Sequence, residues 1–375
     1  MINNQIKLLW LQENFPWMGK HSGYERVCDA LADSMPGCHA SIFKNGQPLP
    51  RLTRRLLSYL AGKKKWSSTY DESGTRLELE ALWRCFSSQY NLVHAIYAER
   101  NIGILPLWKQ RLSFKLVATV HQPAGLWRLQ RHQPELISSL DEVIVLSSQD
   151  ASYFEQYLPG HVHFIPHGVD LDFFCPPAKE TISFKHHKHP RCVFCGTWLR
   201  DLQTLACAID KVLEKNPCIQ FDLVVPISKR NDPFFYRIAR HSQVTWHSGI
   251  SDEQLRDLYR QATLLFLPLL DCTANNALLE AISCGLPIIS NHVGGIPDYT
   301  EDTFASLLPI GDVEGLVDSI LSLVDDPQEC IKREKSARLF AEQRLNWDRI
   351  ASQTRQVYEK ALNGVVAPVG FTDVE

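Results

Sequence analysis

The densest concentration of reactive side chains in this 375-residue chain is Leu269 to Tyr299, LLDCTANNALLEAISCGLPIISNHVGGIPDY. A strand pattern, TLLFLPL from Thr263, runs out near Asp271. A loop rich in Thr and Asn, Thr273 to Asn276, then opens a helical pattern carrying Glu280, and a further strand pattern ends in the turn Gly294-Gly295. Such a loop either caps the helix with its own side chains or leaves the backbone amides of Asn275, Asn276 and Ala277 to a phosphate. Glu280 is a carboxylate able to hold two vicinal hydroxyls, as on a ribose. On its own the stretch leaves two readings open: nucleotide binding, or Asn275 and Asn276 as caps with Glu280 in a structural pair.

Three other loops invite the same question. After Leu11 comes QENFPWMGKHSGYERV, where Gly19 and Gly23 flank a basic, aromatic turn before a helix. Glycine there lets backbone approach a ligand. After Val120 comes HQPAGLW, which puts His121 at a strand's carboxyl end, either as a ligand contact or as a satisfied core residue. In FCGTWLRDLQTL, Gly196 and Arg200 stand between a strand and a helix; the guanidinium can fork onto a diphosphate, or pair with Asp201.

The elements that must carry these loops are short aliphatic runs alternating with helix-length segments. IKLLWL from Ile6, LVHAIYA from Leu92, FKLVATV from Phe114, EVIVLS from Glu142 and HVHFI from His161 form one series. RCVFCG from Arg191, FDLVVP from Phe221, VTWHSG from Val244, TLLFLPL, LPIISN from Leu286 and SLLPIG from Ser306 form a second. Alternation of this kind predicts βαβ units and parallel sheets, hence an α/β protein. The Gly168 turn ends the first series, and CPPAKETISFKHHKHP reads as a linker. We expect a first domain over 1–172, a linker over 173–190, a second domain over 191–346, a terminal helix over 347–362 and a flexible tail over 363–375. Ligands in such sheets sit beyond the carboxyl ends of the strands, where the candidate loops fall.

Composition narrows the field. The chain is 45% hydrophobic and 22% charged, and 39 Lys and Arg against 42 Asp and Glu leave a net charge of −3. No global field points to nucleic acid. Eleven cysteines, an odd number at irregular spacing, read as reduced core residues of a cytoplasmic protein. Cys192 and Cys195 fit C-x-x-C, but in a strand they point to opposite faces, which argues against a metal. The opening MINNQIKLLWLQENF is not a secretory leader, and the most apolar run, Ala262 to Leu270, is about half the length of a membrane-spanning helix.

Taken together, IPHGVDLDFF, the loop before NNALLEAISCGLPIISNHVGGIPDY, and SGYERV resemble the signature segments of family 4 glycosyltransferases of the GT-B fold. The resemblance spans Leu8 to about Leu362. It implies two Rossmann-like domains facing across a cleft, with the helix near Trp347 to Leu362 crossing back to the first. It implies transfer, with retention, of a sugar from a UDP-, GDP- or ADP-sugar to an acceptor hydroxyl, sugar or lipid-linked, in glycan, polysaccharide or glycolipid biosynthesis. No cofactor or metal is implied, since cationic side chains and helix N-termini carry the pyrophosphate charge.

Carried over by residue, Glu280 matches the second glutamate of the family's E-x7-E motif and is expected on the donor ribose. His121 matches the histidine near the reacting carbon, and Arg200 the family's phosphate-binding lysine. Gly23, Gly196, Thr273, Asn275, Asn276 and Ala277 complete the expected donor site. Two departures stand out: the first glutamate of the motif falls on Cys272, leaving its role to Asp271, and the family's arginine after the glycine is Thr197. These motivate the rival reading of a non-catalytic scaffold that binds a sugar nucleotide or a partner protein. Arg51 to Trp66, RLTRRLLSYLAGKKKW, has six basic residues and no acid, with Leu52, Leu56 and Leu60 on one helical face. It is open between peripheral contact with an anionic membrane and a solvated helix over a core stripe. The His186 to His189 stretch, HHKH, is expected as linker rather than as a metal site.

Overall fold

The computed structural model describes residues 6–13, 15, 18–35, 39–43, 51–52, 55–56, 59, 69–88, 90–129, 133–177 and 189–363. Six strands, β1 Leu8–Gln12, β2 His39–Phe43, β3 Leu92–Ala95, β4 Lys115–Val120, β5 Glu142–Val145 and β6 Val162–Phe164, pair in parallel in the order β2-β1-β3-β4-β5-β6. Six more, β7 Arg191–Cys195, β8 Gln220–Val224, β9 Val244–His247, β10 Leu264–Leu267, β11 Ile288–Asn291 and β12 Ala305–Leu308, form a second parallel sheet in the order β12-β11-β10-β7-β8-β9. Both sheets are doubly wound. Strand order reverses between β1 and β3 in the first and between β7 and β10 in the second, and there the loops after the strands diverge to leave a crevice.

Burial explains the sequence texture. All five residues of β1 are buried, with Leu9 and Leu11 in one core cluster and Leu8 and Trp10 in another. A parallel strand covered on both faces therefore reads as continuously apolar. The aliphatic runs fall on strands, and the strand β2, HASIF, lies at the sheet edge, where a five-residue segment with two polar side chains gives no run to read. Cys192 and Cys195 are both buried on β7, and no group of three or more His, Cys, Asp or Glu side chains among the described residues could hold a metal ion.

The last helix, Trp347–Asn363, packs on the first domain. Its Ile350, Ala351, Val357, Tyr358 and Ala361 share a cluster with Leu8, Trp10, Val27 and Leu31. At its centre the Trp10 indole N–H donates to the Tyr358 hydroxyl at 3.2 Å, which leaves that hydroxyl to donate to His94 Nδ1 at 2.7 Å; His94 Nε2–H donates to Thr119 Oγ1 at 2.8 Å. Burial lowers the His94 pKa to about 3, so the ring is neutral and suits that relay. Gly168 is required at the crossover: a Cβ there would lie 2.5 Å from the Trp347 ring. Residues 178–188 of the linker, with most of HHKH, and the tail from 364 lie outside the described residues.

Candidate functional site

In the second domain the chain leaves β7 through Gly196, at φ +82°, and passes Leu199 at φ +55° before the helix Leu202–Lys215. These left-handed residues fold Arg200 back over the strand end, where its backbone pairs with Leu269. Arg200 Nε donates to the Cys195 carbonyl at 2.9 Å, Nη1 to the Trp198 carbonyl at 3.0 Å and Nη2 to Asn275 Oδ1 at 3.3 Å. All three partners are neutral oxygens, and among the described residues no carboxylate lies within ion-pair distance. Asp201, the pairing alternative, instead caps its helix through Thr204 N–H. Burial depresses the Arg200 pKa, yet the group stays charged. The arrangement holds a cation that nothing described in the protein neutralises.

Opposite it, Asn275 is the N-cap of the helix Asn276–Ser283, its Oδ1 accepting the Leu278 N–H at 3.3 Å. Of the two asparagines only Asn275 caps, Asn276 being the first residue of the helix; the cap is compatible with ligand binding, because the amides of Asn276 and Ala277 have no intrahelical partner. Glu280, on that helix, is 4% exposed. Its Oε2 accepts from Tyr259 at 3.0 Å and its Oε1 from Ser22 of the first domain at 2.5 Å. Burial pushes its pKa up to about 7 against the pull of both hydrogen bonds.

The departures from the family pattern have a local structure. The Cys272 thiol is buried, which pushes its pKa up to about 11, so it is a neutral group where the pattern has a carboxylate. Asp271 Oδ1 accepts the Cys272 N–H at 2.8 Å, and its Oδ2 lies 3.8 Å from where a Cβ on Gly125 of the first domain would be. The turn Gly294-Gly295 is packed under this loop: Gly295 N–H donates to the Cys272 carbonyl at 2.8 Å, and a Cβ on Gly294, at φ +48°, would fall 2.0 Å from that oxygen.

In the first domain, His121 follows β4. Its Nε2–H donates to the Ile96 carbonyl at 2.8 Å, leaving Nδ1 as an acceptor, and its ring packs against Tyr97 and Tyr24 at centroid distances of 4.2 and 5.0 Å. Burial first, and then His167 and His94, lower its pKa to about 3. It is therefore a neutral imidazole. Glu99, which the sequence reading did not single out, fixes this loop by accepting the N–H groups of His121 and Gln122, both at 2.7 Å, and the Trp127 indole at 3.3 Å. It stands just beyond the strand β3, so the rule that selected the other loops would have selected it. Gly23 adopts φ +103° in the loop after β1.

The two halves meet. His21 N–H donates to Asp252 Oδ2 at 3.0 Å, Thr273 Oγ1 to the His121 carbonyl at 2.7 Å, and Tyr299 OH to the Leu146 carbonyl at 2.7 Å. A pocket lined by His21, Ser22, Gly23, Asn276, Glu280 and Trp347 lies between them. Gly23, Asn276 and Glu280 thus line this pocket, Arg200 bonds to Asn275, the residue before Asn276, and lies 3.1 Å from where a Cβ on Gly196 would be, and Thr273, two residues after Asp271, reaches the His121 carbonyl. The Thr197 side chain makes no hydrogen bond with the described residues. A D-x-D triplet, Asp170 to Asp172, also lies near the crossover; its Asp170 is held by His21 Nδ1 at 2.8 Å and Arg26 at 3.3 Å.

Comparison with known proteins agrees with this geometry. Residues 25–173 match the model described as Glycosyltransferase Family 4, and residues 189–326 the model described as Glycosyl transferases group 1. The chain is 26% identical over 291 residues to the MMP alpha-(1->4)-mannosyltransferase of Mycolicibacterium hassiacum, covering 71% of this chain and 69% of that one. It is 21% identical over 252 residues to a D-inositol 3-phosphate glycosyltransferase of Streptomyces bingchenggensis, over 62% of this chain and 55% of the relative, little more than half its length. The structure of Anabaena HepE in complex with UDP and glucose superposes with a TM-score of 0.69 at 15% identity, over 95% of this chain and 100% of that one. Two facing doubly wound sheets, a terminal helix that returns to the first, and family models that match both halves lead to one assignment: the chain belongs to the family 4 glycosyltransferases, on the GT-B fold.

Proposed function

We propose that the enzyme transfers a sugar, with retention of anomeric configuration, from a nucleotide diphosphate sugar to an acceptor hydroxyl bound against the first domain. The observation that carries this is Arg200, a guanidinium with only neutral partners, set beside the first-turn amides of Asn276 and Ala277. Such a cradle favours an anion, here the diphosphate. Glu280 holds two hydroxyl donors now, Ser22 and Tyr259, and a ribose hydroxyl would take the place of Ser22. HepE, which was solved with UDP and glucose, supports a nucleotide-sugar donor; the base, whether uracil, guanine or adenine, is part of the test.

In this mechanism the acceptor hydroxyl attacks from the face the diphosphate leaves, and gives its proton to a departing phosphate oxygen. Arg200 and the amides offset the charge that develops there, so no metal is needed. Neutral His121 accepts a hydrogen bond at Nδ1 without carrying charge, its Nε2–H being held by the Ile96 carbonyl, and Asp271 takes the sugar hydroxyls that Cys272 cannot. UDP-, GDP- and ADP-sugars are screened for thermal stabilisation and for transfer with EDTA present. One nucleotide should stabilise the wild type, by ~2.7 kcal/mol at 100 times its Kd. Loss of that shift in Glu280→Ala supports the donor site; a shift unchanged in the variant, or activity abolished by EDTA, refutes the corresponding part.

We further propose peripheral contact with an anionic membrane through the segment from Arg51. Its Leu52, Leu56 and Tyr59 are 80%, 59% and 58% exposed rather than set on a core stripe, while Leu60 and most of the rest to Trp66 lie outside the described residues. No helix among the described residues is long and apolar enough to cross a membrane. Salt-sensitive sedimentation with phosphatidylglycerol vesicles is the expected result, and no binding at low salt removes the proposal.

A further inference from the structure

The loop after β1 grips the other domain. A Cβ on Gly19 would run into the Asp252 carboxylate, and His21 N–H donates to Asp252 Oδ2 at 3.0 Å. Asp252 opens the helix Asp252–Gln261 of the second domain. The His21 ring lies flat on Phe173, with centroids 3.7 Å apart and planes 6° from parallel, and its Nδ1 is 2.8 Å from Asp170 Oδ2. Phe173 packs against the core of the second domain and lies under the Arg256 guanidinium at 4.7 Å. A histidine of the first domain is thus seated, by ring face, ring nitrogen and backbone, on the body of the second.

That seat fixes the residue that follows. Ser22 Oγ donates to Glu280 Oε1 at 2.5 Å, and Gly23, at φ +103°, turns the chain back toward its own helix, Arg26–Ser34. A side chain at Gly23 would strike Met18 and Glu25, so the loop is closed on itself. Glu280 Oε2 is taken by Tyr259, and the residue is 4% exposed. His21, Ser22 and Gly23 line the pocket at Glu280 together with Asn276 and Trp347. A carboxylate oxygen has lone pairs for a second donor, but a five-membered sugar ring needs room that the loop now fills.

Binding at such a site is an exchange. A ligand hydroxyl gains its bond to Glu280 only as the Ser22 hydroxyl gives one up, and the apparent affinity is reduced by the fraction of molecules in which the loop is away. A competitor tethered to the site does not dilute, so the effect holds at every protein concentration. The diphosphate cradle stands outside the exchange, since the partners of Arg200, namely Cys195, Trp198 and Asn275, all belong to the second domain.

We infer that loop 18–23 holds the place of the donor ribose, with Ser22 Oγ in the position of a ribose hydroxyl and His21 as the positioning residue that keeps it there, so that the nucleotide sugar enters by displacing the loop. The inference rests on the donor reading of Glu280 above. It goes beyond that reading in making the first domain a competitor for the donor as well as the domain that receives the acceptor.

The test titrates the full chain, as wild type, Ser22→Ala and His21→Ala, with UDP, GDP, ADP and inorganic pyrophosphate by isothermal calorimetry. Ser22→Ala should bind the recognised nucleotide about 2- to 10-fold more tightly, the range set by one hydrogen bond, and His21→Ala should shift Kd in the same direction. Pyrophosphate has no ribose and should show no such gain, its Kd changing by less than about twofold. That split separates displacement from a general change in structure. Should one variant fail to fold by circular dichroism, the other carries the test. A nucleotide Kd left unchanged or raised in the variants overturns the exchange, a rise meaning that Ser22 helps to hold the nucleotide. An equal gain for pyrophosphate overturns the assignment to the ribose. Binding of none of the three nucleotides, by wild type or by either variant, overturns the donor reading instead.

Discussion

Arg200 holds its charge among the oxygens of Cys195, Trp198 and Asn275, so an incoming diphosphate meets a cation already oriented and not yet neutralised. Orientation made in advance is worth most where charge appears during reaction. Arg200→Ala should therefore lower kcat on the order of 10²-fold or more, measured at saturating donor; unchanged turnover would remove the residue from the mechanism. Cys272 differs in kind. Being a neutral thiol, it should tolerate Cys272→Ala with a change of a few-fold at most, whereas Asp271→Asn should lower kcat/KM about tenfold or more. Glu280 brings a pH dependence. Its pKa of about 7 in the folded state means that the ionised form, which accepts from two hydroxyls at once, fills in as pH rises through 7. Donor affinity should accordingly rise between pH 6 and 8, and Glu280→Gln should flatten that rise in a titration by isothermal calorimetry.

At the scale of elements, the crossover is held by shape as much as by hydrogen bonds. The Gly168 backbone lies against Trp347, and Gly168→Ala should cost about 1–3 kcal/mol in urea unfolding by overpacking. Tyr358→Phe strands the Trp10 indole and His94 Nδ1 together, for a cost of about 1–3 kcal/mol. The strands and the last helix were legible because buried parallel strands are continuous apolar runs and Trp347 to Leu362 keeps a helical period. The edge strand His39–Phe43 was not, having neither. The same holds for the site. Gly196, Arg200, Asn275 and Glu280 declare themselves by following strands, while Ser22 and Tyr259 matter only because folding brings them to Glu280 from 258 and 21 positions away.

For the whole molecule, the buried carboxyls set the sign of the pH dependence of stability. Glu25, Glu78, Glu99 and Glu280 each have a folded pKa raised to about 7, chiefly by burial. Such groups favour folding below their unfolded pKa near 4.5, and that contribution is lost as pH rises through 7. The buried neutral rings of His94, His121 and His167, with pKa values lowered to about 3, 3 and 4, act in the opposite sense up to about pH 6.5. The thermal midpoint should therefore fall from pH 6.5 to pH 8 in differential scanning calorimetry, and a rise over that range would contradict these environments.

The returning helix has a consequence for how the halves can move. The polypeptide passes between them twice, once through the segment after Phe174 and once between Leu345 and Trp347. Two covalent pivots define a line, so opening of the cleft resolves into rotation about that line, as a book turns on its spine, rather than free sliding. The first half is also a split unit, its sheet near one end of the gene and its last packing layer at the other. A fragment ending at residue 176 would present Leu31, Val27 and Trp10 to water, and should become soluble when a peptide spanning 347–363 is supplied in trans.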